Sequence, residues 1–592
     1  MPSRIPAALL GLASLVFAAR IVLLMTGHSA LDLAKFYMAD DTFYYLVIGQ
    51  NIAAGAGSTF DGIATTNGYH PLWQLFCVLL FLALPAGSGA AVMTVFAVQG
   101  LLVLAAVWLL HSALRRFDAM ASAITLTLFL ATPLALGVLC NGMESGLAFA
   151  LAAAVLALAA AQGADFYRIA SSGDGALKAG LLTALTFARL EAGLLAALLV
   201  AEALLREGLP RLRGARLGPG ALLRAIPPFC LVVGGVLAVT GAAYVALNFR
   251  LVGYPEPISG VVKTMWQPTE AVFQSTVRLY LVAMSGVFET SARLQALAPA
   301  LLALQLAGLA AWGFTAPGRR FLALTRPFLL FAAGFVLLAI FATSGGFLWY
   351  LWPALLIALL STFALAAVLL RALAGPGRPA AAAGGGPAGA SGLERSGASG
   401  ADQRAGASGA GSAGASGAGS SGASGASRLA ASAGLAALAL LGVRAVHDAT
   451  KPPPALLYDW GIAPDLVDGA IAFIETGIPP AEALAGHSVG IMSYFTGRPI
   501  QQTEGLVNDR AYWEALKQGQ GFAELYRRGV RWLVANTLDQ ADFERRVAAL
   551  VPPCVRREER RIAAPRAEGA GMTGDVVFLR LDATGCGPAL GS

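Results

Sequence analysis

The sequence predicts a mainly α, polytopic transmembrane helical bundle followed by a small extracytoplasmic α/β domain, and three observations lead there. Of 592 residues, 57% are hydrophobic and only 13% charged, more apolar surface than one water-soluble core would bury. The apolar residues come in long Leu/Ala/Val runs without alternation. Only helices or closed barrels satisfy the backbone in lipid, so these runs read as helices. Beyond residue 446 the composition becomes ordinary, and strand-like and helical stretches follow one another.

The first apolar run, 6–26, is too long for a signal-peptide core and has no small-residue cleavage site behind it, so it reads as a retained span with its amino terminus inside. Further spans are expected near 91–110, 119–139, 146–161, 226–247, 295–315, 327–343, 351–373 and 429–445. Two segments do not fit this pattern. Residues 71–84 would reach only about 21 Å as a helix, against a hydrocarbon core of about 30 Å. Residues 179–205 carry Arg189 and Glu191 near their centre and read as two short helices with a polar break.

A formal charge of +7 does not point to nucleic acid here, because the arginines fall in clusters between apolar segments: Arg115 and Arg116, then Arg206, Arg211, Arg213, Arg216 and Arg224, then Arg319, Arg320 and Arg326. That is the positive-inside pattern. If neither awkward segment makes a net crossing, every cluster falls inside, while 27–70, 140–145, 248–294, 344–350 and everything after 446 fall outside. The domain organisation expected is a membrane module over 1–374 with its first outer loop at 27–70, a disordered cytoplasmic Gly/Ala/Ser linker at 375–428, a last span at 429–445 and an outer α/β domain at 446–592. In that domain, 489–495, 531–536 and 576–581 read as strands, and Arg510–Lys517 and 521–528 as helices. Cys77, Cys140 and Cys230 read as small packing residues, whereas Cys554 and Cys586 either pair in an oxidising compartment or stay free.

Asp40 and Asp41 open a predicted amphipathic helix that lies along the outer surface with Tyr44, Ile48 and Ile52 on one face. Carboxylates at a helix start are favoured by the macrodipole, so a plain cap is one reading of Asp40. A cap does not require a second acid beside it, nor the Gly68-Tyr69-His70-Pro71 turn that returns the chain to the membrane. Arg189 in an apolar segment is costly without a partner, which is either Glu191 or an anionic ligand. Glu144 is either a boundary residue or a third acid on the same side. Lys263 is either a solvated lysine or an ammonium that reaches into a site, and His70 is either an interface residue or a donor to substrate. Asp459, His487, Tyr494, Arg498, Glu504 and Asn508 show no triad or metal spacing, and 490–498 reads as strand–turn–strand rather than a phosphate loop.

Taken in order, five stretches resemble the motif series of the GT-C superfamily of membrane glycosyltransferases. Asp40-Asp41-Thr42-Phe43-Tyr44 is similar to the acidic opening of that superfamily's first outer loop, and Asn141-Gly142-Met143-Glu144-Ser145 to its Gly-Met-Glu motif. Ala188-Arg189-Leu190-Glu191-Ala192-Gly193 resembles Arg-Pro-Glu-Gly, with Leu190 where the family has proline. Tyr254-Pro255-Glu256-Pro257-Ile258-Ser259 with Lys263 resembles a Gly-x-x-Pro-x-Ser-x-x-x-Lys loop, and Trp349-Tyr350-Leu351-Trp352-Pro353 an aromatic-Tyr-x-x-Pro motif.

The resemblance implies sugar transfer from a polyprenyl-phosphate donor to an envelope glycan, lipid or protein acceptor, at the outer face of a bacterial cytoplasmic membrane. It implies Asp40 as general base, Asp41 and Glu144 as accompanying acids, and Arg189, Glu191, Lys263, His70, Tyr69 and Tyr350 around the substrates. Single displacement with one base and no second nucleophile implies inversion. Trp349, Tyr350 and Trp352 either stack on sugar or prenyl chain or form an interfacial aromatic belt. The cofactor stays open: a divalent metal on Asp40, Asp41 and Glu144, or none. The rival class is a lipid or sugar transporter or flippase, which also needs polar groups inside a bundle but neither a long acidic loop nor a folded outer domain. A third reading is an assembly protein in which the acid pair only starts a helix.

Overall fold

The computed structural model describes residues 4–213, 224–264, 270–286, 295–342, 347–374, 432–443, 464–537, 547, 550–552, 555–563 and 574–582. The linker expected at 375–428, together with Asp459, Cys554 and Cys586, lies outside the described residues. Among the described residues, six helices are long and apolar enough to cross a membrane: Arg4–Gly27, Gly89–Leu114, Ser145–Tyr167, Cys230–Val252, Ala316–Phe341 and Leu348–Leu373. Shorter apolar helices run over Pro71–Ala83, Ala119–Ala131, Ala298–Gly313 and Ser432–Val443.

The first half of the bundle contains α1 (Arg4–Gly27), α2 (Ala30–Tyr37), α3 (Asp40–Ala53), α4 (Pro71–Ala83), α5 (Gly89–Leu114), α6 (Ala119–Ala131), α7 (Pro133–Gly137), α8 (Ser145–Gln162), α9 (Ser172–Ala188) and α10 (Gly193–Ala203). The single span expected at 119–139 is divided, because Pro133 forces the preceding Thr132 into extended backbone (ψ 150) and starts α7. The helix expected to begin at 327 instead starts at Ala316 and runs through Pro327, so Arg319, Arg320 and Arg326 sit on the helix itself. The polar break in 179–205 is real: α9 stops at Ala188, a 3-10 turn covers Leu190–Ala192, and α10 resumes at Gly193.

The amphipathic helix expected at the acid pair is instead buried all round. Thr42 through Gly49 are all buried, because α4 packs on one side and the Gly490–Thr496 helix on another. Gly49 is needed there, since a Cβ on it would lie 2.9 Å from the Cβ of Cys77. Nor does Asp40 cap its own helix: Ala39 is the N-cap, and it makes no side-chain capping bond.

The C-terminal domain carries five strands, β1 (Ala483–Gly486), β2 (Ile500–Gln502), β3 (Val530–Thr537), β4 (Arg556–Ala563) and β5 (Asp575–Leu581), in the order β2-β1-β3-β5-β4. β1 pairs in parallel with both β2 and β3, and β5 runs antiparallel between β3 and β4. The strand expected at 489–495 is a helix, Gly490–Thr496. Parallel β1 and β2 need a crossover, and this segment supplies it despite its β-favouring Ile, Tyr and Phe. Ile491, Met492 and Tyr494 from that helix share one continuous apolar core with Phe43 and the membrane helices, so the domain is packed onto the bundle.

The bundle has two polar ends, joined by the 18 residues of α8, about 27 Å of helix. Glu144 precedes α8 at one end. At the other, Gln162 donates to Asp174 (2.9 Å), which pairs with Lys178 (2.8 Å). Nearby, Glu202 takes ion pairs from both Arg206 and Arg326, and Arg168 meets Glu207 at 3.4 Å. Two arginine clusters well separated in sequence therefore share one end.

Candidate functional site

The other end is assembled from segments that the spacing of spans and charges puts on one side. The loop before α8 is pinned to the start of α3: the Ala39 N–H and the Thr42 hydroxyl both donate to the carbonyl of Asn141, each at 2.9 Å. Gly142 sits at φ +86, and a Cβ there would fall 2.3 Å from Thr42 Cγ2; only glycine allows that approach. Trp73 donates to the Gly142 carbonyl (2.9 Å), and Gln99 both accepts from the Gly142 N–H (2.8 Å) and donates to Met143 (2.6 Å). This scaffold fixes Glu144, which is 1% exposed.

Glu144 Oε1 accepts from Arg189 Nη1 at 2.8 Å and has His70 Nε2 at 3.5 Å. Arg189 is fully buried. It also donates to the Trp349 carbonyl (3.0 Å), is ion-paired with Glu191, and lies 4.7 Å over the Tyr350 ring. Of the partners considered for Arg189, Glu191 is engaged, and Glu144 joins it on the same guanidinium. The Leu190 N–H donates to His70 Nδ1 at 3.3 Å, which puts the imidazole proton on Nε2, facing Glu144. Burial pushes His70 below its ordinary value, against the pull of Glu144 and Glu191, so the ring is a neutral donor.

Lys263, on the short Ile258–Thr264 helix, reaches to 3.9 Å from Asp41 Oδ2 and 3.5 Å from the Tyr350 hydroxyl. Its ammonium lies 5.0 Å from the Phe347 ring centre and 5.8 Å from that of Trp349. Burial opposes its charge, but Tyr350 and Asp41 outweigh that and hold it above the usual lysine range. Tyr69 goes elsewhere, its hydroxyl meeting Ser58 at 2.8 Å.

The two adjacent aspartates have different surroundings. Both oxygens of Asp40 accept backbone N–H groups of the C-terminal domain, from Gly490 at 3.0 Å and Ile491 at 2.8 Å. Burial pushes its carboxyl up while these two amides pull it down, with a net rise. Asp41 keeps 20% of its side-chain surface and has Lys263 as counter-charge. Burial pushes it up to about 7; Lys263 pulls down, and Asp40, Glu504 and Glu144 push up further.

Glu504 was named in the sequence without a role. It follows β2 and pairs with His487, which follows β1, at 3.0 Å. Both residues project from the carboxyl ends of parallel strands, where open α/β sheets present their functional groups. Gln502 holds this loop by accepting the N–H groups of Glu504, Gly505 and Leu506 at 3.0, 2.8 and 3.1 Å. The loop packs on the turn at Asn67–His70 so closely that a Cβ on Gly68 would lie 2.0 Å from the Leu506 carbonyl oxygen. Asn67 ties the same turn to the Tyr254–Ser259 stretch, accepting from Ile258 N–H (2.9 Å) and donating to Glu256 (3.3 Å). The sequence signal for Glu504 is the unit of β1, the Gly490–Thr496 helix and β2, which the β-favouring Ile, Tyr and Phe of 489–495 conceal. Tyr45, whose hydroxyl accepts from the His70 N–H at 2.9 Å, and Gln99 carried no sequence signal.

The acids named for a metal do not converge on one. Asp40 spends both oxygens on amides, Glu144 is held by Arg189, and an ammonium already faces Asp41. Among the described residues no group of three His, Cys, Asp or Glu side chains is placed to hold an ion. The residues present do not fit a divalent metal.

No protein-family description and no curated protein matches the sequence. Among solved structures, ArnT from Cupriavidus metallidurans bound to undecaprenyl phosphate is similar at TM-score 0.49 and 13% identity, over 95% of this chain and 97% of that one. The Archaeoglobus fulgidus oligosaccharyltransferase in complex with Zn and sulfate gives 0.47 and 12%, over 89% and 68%. The arabinofuranosyltransferase AftD from mycobacteria gives 0.42 and 14%, over 96% and 40%. At these scores and identities the likeness assigns no role to any residue of this chain.

Proposed function

We propose that this membrane protein transfers a monosaccharide from a polyprenyl-phosphate donor to a hydroxyl of an envelope acceptor, with Asp41 as the general base. The donor class, the envelope acceptor and the outer face of a bacterial cytoplasmic membrane come from the motif resemblance. The choice of base comes from geometry, and it departs from the family position, Asp40. The observation that carries it is the contrast between neighbours: each oxygen of Asp40 accepts a backbone amide of the C-terminal domain, while Asp41 has a carboxyl lifted to about 7 and faces the Lys263 ammonium.

A base with a pKa near the working pH is suited to taking a proton from an alcohol in the transition state. In this reading Asp41 takes the acceptor hydroxyl proton as the acceptor oxygen bonds to the anomeric carbon and the bond from that carbon to the phosphate oxygen breaks. The leaving group is polyprenyl phosphate, and its negative charge falls to Lys263 and the Arg189 guanidinium, both set in an aromatic surround. Glu144 holds Arg189 in place and has His70 beside it. One displacement inverts the anomeric centre.

Mass analysis of envelope glycans from a deletion strain tests this directly. A sugar missing from the deletion, restored by the wild-type chain and not by Asp41→Asn, is the expected result. An unchanged envelope, or full restoration by Asp41→Asn, would sink the proposal and leave transport as the stronger reading.

A further inference from the structure

Successive residues on a helix point about 100° apart, and this separates the jobs of the two aspartates at the start of α3. We propose that Asp40 is a positioning residue that clasps the C-terminal domain onto the membrane module through the amides of Gly490 and Ile491, and so sets the Glu504–His487 pair beside Asp41. The clasp stands on geometry alone, whereas its effect on catalysis rests on the transfer reading above.

Four observations meet at this contact. Asp40 takes two amides on its two oxygens, a fork that fixes orientation as well as distance. Gly490 has no room for a side chain: a Cβ would lie 2.4 Å from the Asp40 backbone oxygen and 3.1 Å from its Oδ2. The turn that delivers these amides contains Ser488 at φ +49, the one non-glycine residue with positive φ among the described residues, a conformation kept only where surrounding contacts dictate it. Around the fork, Phe43 packs between Tyr494 and Phe495 (ring centres 5.5 and 5.9 Å), and the Tyr494 hydroxyl donates to the Ser88 carbonyl at 2.8 Å.

The same turn carries His487 at its start, and His487 grips Glu504. Glu504 stands close enough to act on the charges of both Asp40 and Asp41. Releasing the clasp would move the Glu504–His487 pair away from Asp41. That pair presents a carboxylate and an imidazole, which suit hydroxyl groups of a sugar acceptor.

The test uses the full-length protein with a reporter at a second contact of the two modules, Lys35 and Asp468, which pair at 2.8 Å. In a Lys35→Cys, Asp468→Cys background, a short thiol cross-linker reports docking. Asp40→Ala and Gly490→Ala are expected to slow cross-linking at least about tenfold, and Asp41→Asn to leave it unchanged. Asp40→Asn keeps an accepting oxygen, so transfer should fall less than about tenfold, whereas removing a general base costs about 10²–10⁴. Wild-type cross-linking in both Asp40→Ala and Gly490→Ala overturns the clasp. So does Asp40→Asn that stays docked but loses more than a hundredfold in transfer, because Asp40 would then act in the chemistry. If no variant, wild type included, transfers a sugar, the cross-linking rates still decide whether Asp40 clasps the domain.

Discussion

The two polar ends of this bundle contain the same residue types and use them differently. At the Glu202 end, one carboxylate that is 6% exposed is saturated by Arg206 and Arg326, whose own side chains are 36% and 53% exposed. At the Asp41 end, the nearest cation stops at 3.9 Å, both partners are mostly buried, and aromatic rings surround the ammonium. The first arrangement neutralises charge at a bundle end. The second holds opposite charges close without letting them close, so that each remains available to a substrate. Charge content does not separate a structural cluster from a chemical one; the spacing between charges and their access to water do.

The most severe way to break this contrast is Asp41→Asn, expected to lower transfer by about 10²–10⁴ while the protein still inserts and folds, measured as sugar incorporated per enzyme. Survival of transfer within tenfold would mean the gap at Asp41 is incidental. Next, Arg189→Met leaves the buried Glu144 and the half-buried Glu191 without their counter-charge. A loss of about 3–5 kcal/mol in stability is expected, visible in thermal unfolding in detergent, and a Tm equal to wild type would show that the two acids relax to water.

A pH–rate profile sharpens the comparison further. Asp41 must be ionised to act as base, so the rate should rise about tenfold per unit toward pH 7 and level off above it, given a carboxyl lifted to about 7. Because Lys263 holds that carboxyl down, Lys263→Met should move the acid limb to higher pH, with about a tenfold lower rate below it for each unit of displacement. Losing only a phosphate contact would instead lower the rate equally at every pH. The smallest effect is expected at the saturated end. Glu202→Gln should cost about 1 kcal/mol, since its exposed arginine partners return to water, and leave transfer within twofold. A larger loss of transfer would tie the two ends together.

Much of the site could be read before folding. Asp41, Glu144, Arg189, Glu191, Lys263, His70 and Tyr350 do converge, although they come from six segments spread over more than 300 residues. Arg189, Glu191 and Glu144 stand out because a charge in or beside an apolar run is costly without a reason; the others come from the motif resemblance. Tyr69 was included by its neighbourhood in the turn, and its hydroxyl turns to Ser58. Glu504 was passed over because nothing in 500–508 reveals that β1 and β2 are parallel neighbours whose ends meet the turn at Asn67–His70.

By itself the sequence determined the solvent. Runs of apolar residues beyond what water tolerates commit the chain to helices in lipid, and the charged pair at Arg189 and Glu191 marks where one of them breaks. The division of labour between Asp40 and Asp41 came only from tertiary structure. In the sequence they are equivalent neighbours. They become different when a domain about 450 residues later lays two backbone amides against one of them and leaves the other facing an ammonium. Hydrogen bonds of that kind depend on where the distant backbone runs, which local residue pattern does not encode.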